Sequence, residues 1–154
     1  MLEKIHSPRD LDGMSYEELD RLVTQGFILE KQRRLIPVQK LIRFTQSPCF
    51  TAMMQADRYY KEERFLFPMD AKELFGEGAE GEILIQGVLD CYWVRGDQAV
   101  IVDYKTDGVT DEQQLIQRYK TQMDLYQQAL KRVRGLTVVR REIYSFSLEK
   151  TVVL

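Results

Sequence analysis

Two aspartates and one lysine occupy positions that a β-hairpin would bring together. Asp90 follows one apolar stretch of the chain, and Asp103 and Lys105 follow the next. Between the two stretches lies Gly96-Asp97, a dipeptide typical of two-residue hairpin turns when alternating strands flank it. With these two residues as the loop, the register places Asp90 directly opposite Asp103.

Such a pair of carboxylates needs a positive charge nearby. Opposed side chains on antiparallel strands have Cβ atoms about 4.5–5.5 Å apart, and like charges at that distance are destabilising. Lys105 points to the same side as Asp103, because side chains two apart on a strand share a face. Mg²⁺ would supply more charge, since it is commonly held by one or two carboxylates together with waters and phosphate oxygens. The three side chains therefore indicate a phosphodiesterase site.

A plain surface charge cluster is the alternative, and the flanking residues argue against it. Both strands are apolar on both faces, which is typical of interior strands. Charges in such strands are costly unless they are paired or metal-bound. Strict alternation predicts one face with Leu89, Cys91, Trp93, Val100 and Val102, and the other with Val88, Ile101 and the charges.

The overall composition does not indicate a nucleic-acid partner. The chain has 154 residues, enough for one domain with a sizeable core. Its 22 Lys and Arg against 24 Asp and Glu give a net charge of −2, whereas phosphate backbones are usually met by basic surfaces. A late basic cluster is either a phosphate-facing patch or a solvated helix end. It consists of Lys131, Arg132, Arg134, Arg140 and Arg141.

Cysteine and histidine content limits the cofactors. Cys49 and Cys91 are the two cysteines, too few for a disulfide framework or a four-cysteine zinc or iron–sulfur site, and we expect buried, reduced thiols. The single histidine, His6, lies in a polar segment without metal-ligand spacing. No apolar run approaches the length of a membrane span, so we expect a cytoplasmic protein without membrane contact.

The first third of the chain is predicted to be mostly helical. A helix over 15–25 would start at a capping box of Ser15 and Glu18. Two more helices are predicted over 37–45 and after Ser47, each with a proline near its start.

The remainder of the chain alternates between strands and a long helix. A strand is expected around 64–68 and a loop over 70–81, followed by the hairpin. A helix over 111–133 would be capped by Thr110 and closed by Gly135, and two β segments over 136–146 and 151–154 follow. This order predicts an α/β fold in which helices flank a mixed sheet, with the carboxylates on the central hairpin.

Gln122 and Tyr104 lie near the predicted site, and the sequence predicts their surroundings as follows. Gln122 lies at the edge of the apolar stripe of the long helix, where it would bond to Tyr126 as a structural contact or touch a substrate. The side chain of Tyr104 is expected to face away from the carboxylates and pack, while its backbone carbonyl can turn toward them.

Four short motifs resemble those of RecB-type nucleases in the PD-(D/E)xK superfamily. Glu63-Arg64-Phe65 looks like the Glu-x-Phe element, and Gly87-Val88-Leu89-Asp90 matches Gly-x-x-Asp. Asp103-Tyr104-Lys105 matches Asp-Tyr-Lys, and the segment from Gln122 to Tyr126 matches Gln-x-x-x-Tyr. In this order the motifs are especially similar to the C-terminal nuclease domain of AddA-type (RexA-type) proteins, from about residue 10 to the C-terminus.

The resemblance implies a restriction-endonuclease-like fold and a Mg²⁺-dependent DNA exonuclease, with Mn²⁺ as a possible substitute. Such domains belong to bacterial helicase–nucleases that process double-strand breaks for recombinational repair. The implied partners are DNA ends or single-stranded DNA, the helicase portion of the parent chain, and an AddB-type (RexB-type) subunit. The implied location is the cytoplasm, at the nucleoid.

The resemblance also implies a role for each motif residue. Asp90, Asp103 and the main-chain carbonyl of Tyr104 would hold the metal, and Lys105 would orient or activate the attacking water and stabilise charge on the phosphate. Gln122 and Tyr126 would support the site or contact DNA. Glu63 would either support the metal shell or be solvated.

One departure from the family pattern leads to a further expectation. Family members carry a metal-binding histidine on an upstream helix, and His6 does not fit that setting. The chain would then be a single nuclease domain over 1–154 without that helix and the helicase, with reduced or absent metal binding and cleavage by itself. A catalytically silent module that binds DNA or docks a subunit is the alternative function. A stand-alone CRISPR-adaptation-like nuclease is disfavoured by the lack of a cysteine cluster.

Overall fold

The computed structural model describes residues 16–27, 29–34 and 37–154. In these ranges the first helices are α1 (Tyr16–Thr24), α2 (Glu30–Arg33), α3 (Val38–Thr45) and α4 (Pro48–Met54). They are followed by β1 (Arg58–Asp70), α5 (Ala71–Phe75), β2 (Glu82–Arg95) and β3 (Gln98–Lys105). The chain ends with α6 (Glu112–Ala129), a π-helical turn (Leu130–Arg134), β4 (Thr137–Ser145) and β5 (Lys150–Val153).

The strands form one mixed sheet with the order β1-β2-β3-β4-β5. Neighbouring strands are antiparallel except β3 and β4, which are parallel. A parallel pair needs a crossover connection, and α6 provides it. The structure confirms the predicted α/β fold, with a mixed sheet flanked by helices.

Helices cover the two faces of the sheet in different places. On one face, α6 packs through buried residues such as Leu115 and Met123 against Ile101 of β3. On the other face, α3 and α4 pack through residues such as Phe44 and Phe50. Strand β3 contributes side chains to both hydrophobic clusters and is therefore buried from both sides.

The central hairpin has the predicted turn and register. Arg95 pairs with Gln98 and Cys91 with Val102, which leaves Gly96 and Asp97 as the loop. Gly96 has a φ of 62°, a left-handed conformation that glycine adopts without a steric penalty. Continuing this register by one residue places Asp90 opposite Asp103.

The predicted division of the faces is wrong for Leu89, because strict alternation breaks beside it. Leu89 belongs to the cluster on the α6 side, whereas Cys91 belongs to the cluster on the α3–α4 side. The ladder between β1 and β2 omits the pair Glu62 and Asp90, and Glu62 has a φ of 52°. On β1 this left-handed residue turns the side chains that follow it to the other face, and the paired strand β2 changes face at the same point, since Tyr92 and Leu89 both belong to the cluster on the α6 side. Val88 is exposed and, as the strand neighbour of Leu89, lies on the face opposite to the one that was predicted.

The helix boundaries agree in part with the predictions. Helix α4 starts after Ser47 as expected, and the Ser47 hydroxyl accepts a hydrogen bond from the backbone N–H of Phe50. Helix α6 is capped by Asp111 rather than Thr110, because the Asp111 carboxylate accepts from the Gln114 backbone N–H. Gly135 closes the π-helical turn with a φ of 67°, as predicted.

Other predictions differ from the structure or concern residues that it does not describe. The expected loop over 70–81 contains helix α5, and the predicted strand around 64–68 extends over the whole of β1. Ser15 and His6 lie outside the described residues. Cys49 and Cys91 are buried free thiols, as expected.

Candidate active site

The open end of the central hairpin brings the two predicted carboxylates together. The backbone N–H of Tyr104 donates to Asp90 Oδ2 over 3.0 Å. Lys105 Nζ lies 2.6 Å from Asp103 Oδ2. Asp90, Asp103 and Lys105 thus form one cluster, because β2 and β3 run side by side at this point.

Asp103 is the most buried charged group of the cluster. The residue is 1% exposed, and the Lys105 ammonium lies 2.6 Å from its Oδ2 atom. Burial raises the pKa of Asp103 to about 6, the negative charge of Asp90 acts in the same direction, and Lys105 opposes both. The site therefore holds a carboxylate whose negative charge is only partly compensated.

The side chain and the backbone of Tyr104 face different parts of the structure, as the sequence predicts. Its ring packs edge-on against Phe44 on the opposite face of the sheet, with 5.2 Å between centroids. Its N–H points toward β2, where it meets Asp90. In a β-strand the N–H and C=O of one residue point to the same side, so the carbonyl of Tyr104 is directed toward the same end of β2.

Helix α6 covers the carboxylates with polar side chains. Gln122 Nε2 donates to the Tyr126 hydroxyl over 3.0 Å, the structural contact that the sequence left open. Burial raises the pKa of Tyr126, and the negative charges of Asp103 and Asp90 raise it further. Gln122 Oε1 is buried without a hydrogen-bond partner.

A network around Lys105 is not evident from the sequence. Lys105 Nζ lies 4.4 Å from the centroid of the Tyr119 ring. The Tyr119 hydroxyl donates to Asp107, which also accepts from Arg118 Nη1 over 3.1 Å. The sequence pattern assigns Tyr119 only to the apolar stripe of the long helix. Its spacing of three from Gln122 is the signal that places it on the same helix face.

The first two motifs meet in a single packing contact. Phe65 pairs with Gly87 across β1 and β2, and a Cβ on Gly87 would lie 2.6 Å from the Phe65 Cζ atom. The Phe65 ring also packs edge-on against Tyr126, with 5.7 Å between centroids. The glycine of the Gly-x-x-Asp motif therefore makes room for the aromatic ring that supports Tyr126.

Glu63 is held away from the carboxylate cluster by another partner. It forms an ion pair with Arg134 at the end of the π-helical turn, and its strand partner is Leu89 rather than Asp90. The arginines of the late basic cluster are likewise paired with carboxylates, which reduces the positive charge that the cluster offers to phosphate. The pairs are Arg132 with Glu73, Arg134 with Glu63, Arg140 with Glu142 and Arg141 with Asp124.

The donor set fits a cation that prefers oxygen ligands. Asp103 offers two buried oxygens, one of them beside the Lys105 ammonium, and Asp90 is adjacent. One or two carboxylates completed by water and phosphate oxygens is the pattern typical of Mg²⁺. Within the described ranges, no group of three or more His, Cys, Asp or Glu residues is placed to hold a metal ion.

Comparison with known families agrees with this geometry. The model of the PD-(D/E)XK nuclease superfamily matches residues 1–152. The chain belongs to this superfamily. Its mixed sheet between helices is the restriction-endonuclease-like fold that membership implies.

Several curated relatives are named as subunits of an ATP-dependent helicase/nuclease. The protein of Clostridium kluyveri is 32% identical over 136 residues, which is 85% of this chain and 11% of the relative. The protein of Clostridium botulinum (strain Langeland) is 31% identical over 153 residues, 96% of this chain and 12% of the relative. The protein of Alkaliphilus metalliredigens is 31% identical over 141 residues, which is 88% of this chain and 12% of the relative. The chain thus spans about an eighth of the relatives it matches.

The comparisons establish the chain as a nuclease domain of the kind found in these relatives. PD-(D/E)XK nucleases generally use divalent metals, which agrees with the carboxylate cluster. Among the helices that the structure describes, none combines the length and apolar character needed to cross a membrane.

Proposed function

We propose that residues 1–154 form a single Mg²⁺-dependent DNA exonuclease domain of a bacterial helicase–nuclease that processes double-strand breaks for recombinational repair. The observation that carries the proposal is the cluster of Asp90, Asp103 and Lys105 beneath helix α6. A buried carboxylate whose charge is only partly compensated is costly, and a divalent cation would reduce that cost.

Each residue of the cluster has a role in this proposal. Asp90, Asp103 and the carbonyl of Tyr104 hold the cation. Lys105 orients the attacking water and stabilises the negative charge on the phosphate, because its ammonium lies 2.6 Å from Asp103 Oδ2. Gln122 is a supporting residue that donates a hydrogen bond to the hydroxyl of Tyr126.

A divalent cation held by Asp90, Asp103 and the carbonyl of Tyr104 would supply Lewis-acid chemistry toward the phosphate and the attacking water. Mn²⁺ would serve in the same oxygen-rich setting.

Glu63 contributes outside the cation site in this proposal, as the carboxylate that anchors Arg134 and the end of the π-helical turn against β1.

The proposed partners follow from the names of the relatives. Because those proteins are named as ATP-dependent helicase/nuclease subunits, we propose that this domain receives DNA ends or single strands from a helicase portion. Their being subunits further suggests a second chain, which we propose is of the AddB (RexB) type. A cytoplasmic location at the nucleoid follows from such a substrate.

Nuclease assays on site variants test the proposal. Within the proposed helicase–nuclease, this domain should degrade linear DNA with Mg²⁺. Asp103→Asn and Lys105→Met should each lower the rate by about 10²–10³-fold, the loss typical of a removed charge-stabilising group. Asp97→Asn in the exposed hairpin turn is the matched control and should retain the rate. Equal activity of Asp103→Asn and the unmodified protein would rule out the proposed site.

One observation favours a second candidate, a silent module that binds DNA or docks a subunit. The Lys105 ammonium already lies 2.6 Å from Asp103 and compensates part of its charge without a metal. A silent module would bind DNA with the same affinity in the unmodified protein and in Asp103→Asn, and neither would cleave it. Detectable Mg²⁺-dependent cleavage that Asp103→Asn removes excludes this candidate.

A further inference from the structure

Lys105 is held by an aromatic ring as well as by a carboxylate. Its ammonium lies 4.4 Å from the centroid of the Tyr119 ring and 2.6 Å from Asp103 Oδ2. The Lys105 side chain is 15% exposed, so water competes little with either contact. A cation over an aromatic face is attracted by the ring without giving up its N–H donors.

Tyr119 is itself fixed in place by its hydroxyl. The hydroxyl donates to Asp107, and Arg118 donates to the same carboxylate. These two bonds lower the pKa of Asp107, the bond from Tyr119 contributing most. Asp107 lies two residues after Lys105, in the segment between β3 and α6. The ring is therefore anchored to the chain segment that carries the lysine.

Asp103 and Tyr119 act on the Lys105 ammonium in different ways. Asp103 supplies negative charge to the ammonium. Tyr119 supplies an aromatic face that neither accepts a strong hydrogen bond nor neutralises the lysine. If a cation is bound at Asp103, the attraction between Lys105 and Asp103 weakens, whereas the contact with Tyr119 remains.

We propose that Tyr119 is a positioning residue for Lys105, which it holds beside the scissile phosphate through its ring, with Asp107 and Arg118 fixing the ring through its hydroxyl. This inference rests on the proposed nuclease function of Lys105. Tyr119 needs no contact with the substrate, so it acts on the rate of the chemical step rather than on DNA binding.

Two substitutions at Tyr119 separate the ring from the hydroxyl. Tyr119→Leu removes the ring and should lower kcat about tenfold with KM changed less than about twofold, since loss of a partly buried cation–π contact has that effect on the placement of a charge. Tyr119→Phe keeps the ring and should retain more than about a third of kcat. Tyr59→Leu is the matched control, because Lys61 lies 5.4 Å from the Tyr59 ring on β1.

A nuclear magnetic resonance measurement supplies a readout that does not depend on catalysis. With ¹³C-labelled lysine, the ring current of Tyr119 should shift the signals of the Lys105 ε-methylene group upfield. Lys105→Arg assigns those signals by removing them. The upfield shift should persist in Tyr119→Phe, vanish in Tyr119→Leu and remain unchanged in Tyr59→Leu.

The outcomes distinguish this inference from the proposed function. If Asp103→Asn abolishes cleavage but Tyr119→Leu retains full kcat, the nuclease stands and the positioning role is wrong. An equal loss in Tyr119→Phe and Tyr119→Leu would also overturn it, because the ring would then have no separate effect. If the unmodified protein does not cleave DNA, the proposed function itself fails, whatever the lysine signals show.

Discussion

Asp103 lowers the stability of the metal-free fold when it is ionised. Its carboxyl is buried, and its pKa rises from the ordinary value of 3.8 to about 6. The folded state therefore binds the proton more tightly than the unfolded state. The associated stability is fully present below the ordinary pKa and is lost as the pH rises toward 6. By linkage, ionisation costs the fold about 3 kcal/mol at neutral pH and above.

This cost predicts the effect of Asp103→Asn on stability. In the presence of a chelator, the variant should lose less stability than the unmodified protein between about pH 4 and pH 8, because the amide has no proton to lose. The difference should be about 2–3 kcal/mol in the free energy of unfolding, measured with urea at both pH values. Asp97→Asn, at an exposed turn position, provides the control. The same pH dependence in Asp103→Asn and the unmodified protein would contradict the burial of this charge.

At the scale of the elements, the site depends on how β1 and β2 pack. Phe65 of β1 lies over Gly87 of β2 and against Tyr126 of α6. One ring thus connects three motifs that are far apart in the sequence. The glycine is needed here because a side chain would occupy the space of the ring, and its backbone conformation is not the reason.

Substitution of Gly87 tests this contact. Gly87→Ala should lower the free energy of unfolding by about 1–3 kcal/mol, because its Cβ would meet Phe65 at 2.6 Å and force the buried ring to move. Combining it with Phe65→Leu should remove at least about 0.5 kcal/mol of that penalty. Gly108→Ala is the control, since no atom lies within 4 Å of its added Cβ. Additive losses in the double variant would show that the two residues do not interfere.

The same elements show which features a sequence can predict. The hairpin was predictable because Gly96-Asp97 combines a turn signal with flanking alternation, so both carboxylates were placed by local rules. The change of face beside Asp90 was not predictable, because Glu62 adopts a left-handed conformation that no residue preference indicates. The contacts of Tyr119 were not predictable for a different reason, since they are made with a lysine from β3 and an aspartate from the following segment.

For the whole molecule, the decisive feature is a sheet buried between two helical layers. Strand β3 carries Asp103 toward α6 and Val102 toward α3 and α4. The layer on the α3–α4 side contains Cys49 and Cys91, which are 3% and 0% exposed. Burial raises the pKa of Cys91 to about 11 and that of Cys49 still further. The reactivity of the two thiols therefore shows whether α3 and α4 stay packed against the sheet.

We expect both thiols to be unreactive toward an aromatic disulfide reagent in the native protein, because the thiolate is the reactive form and neither sulfur is accessible. They should react together, at a rate that rises with urea in parallel with opening of the fold. Thr121→Cys introduces an exposed thiol on α6 as a control and should react at once. Rapid reaction of Cys49 or Cys91 under native conditions would mean that α3 and α4 open independently of the sheet, and that the layer behind the site does not hold β3 rigidly.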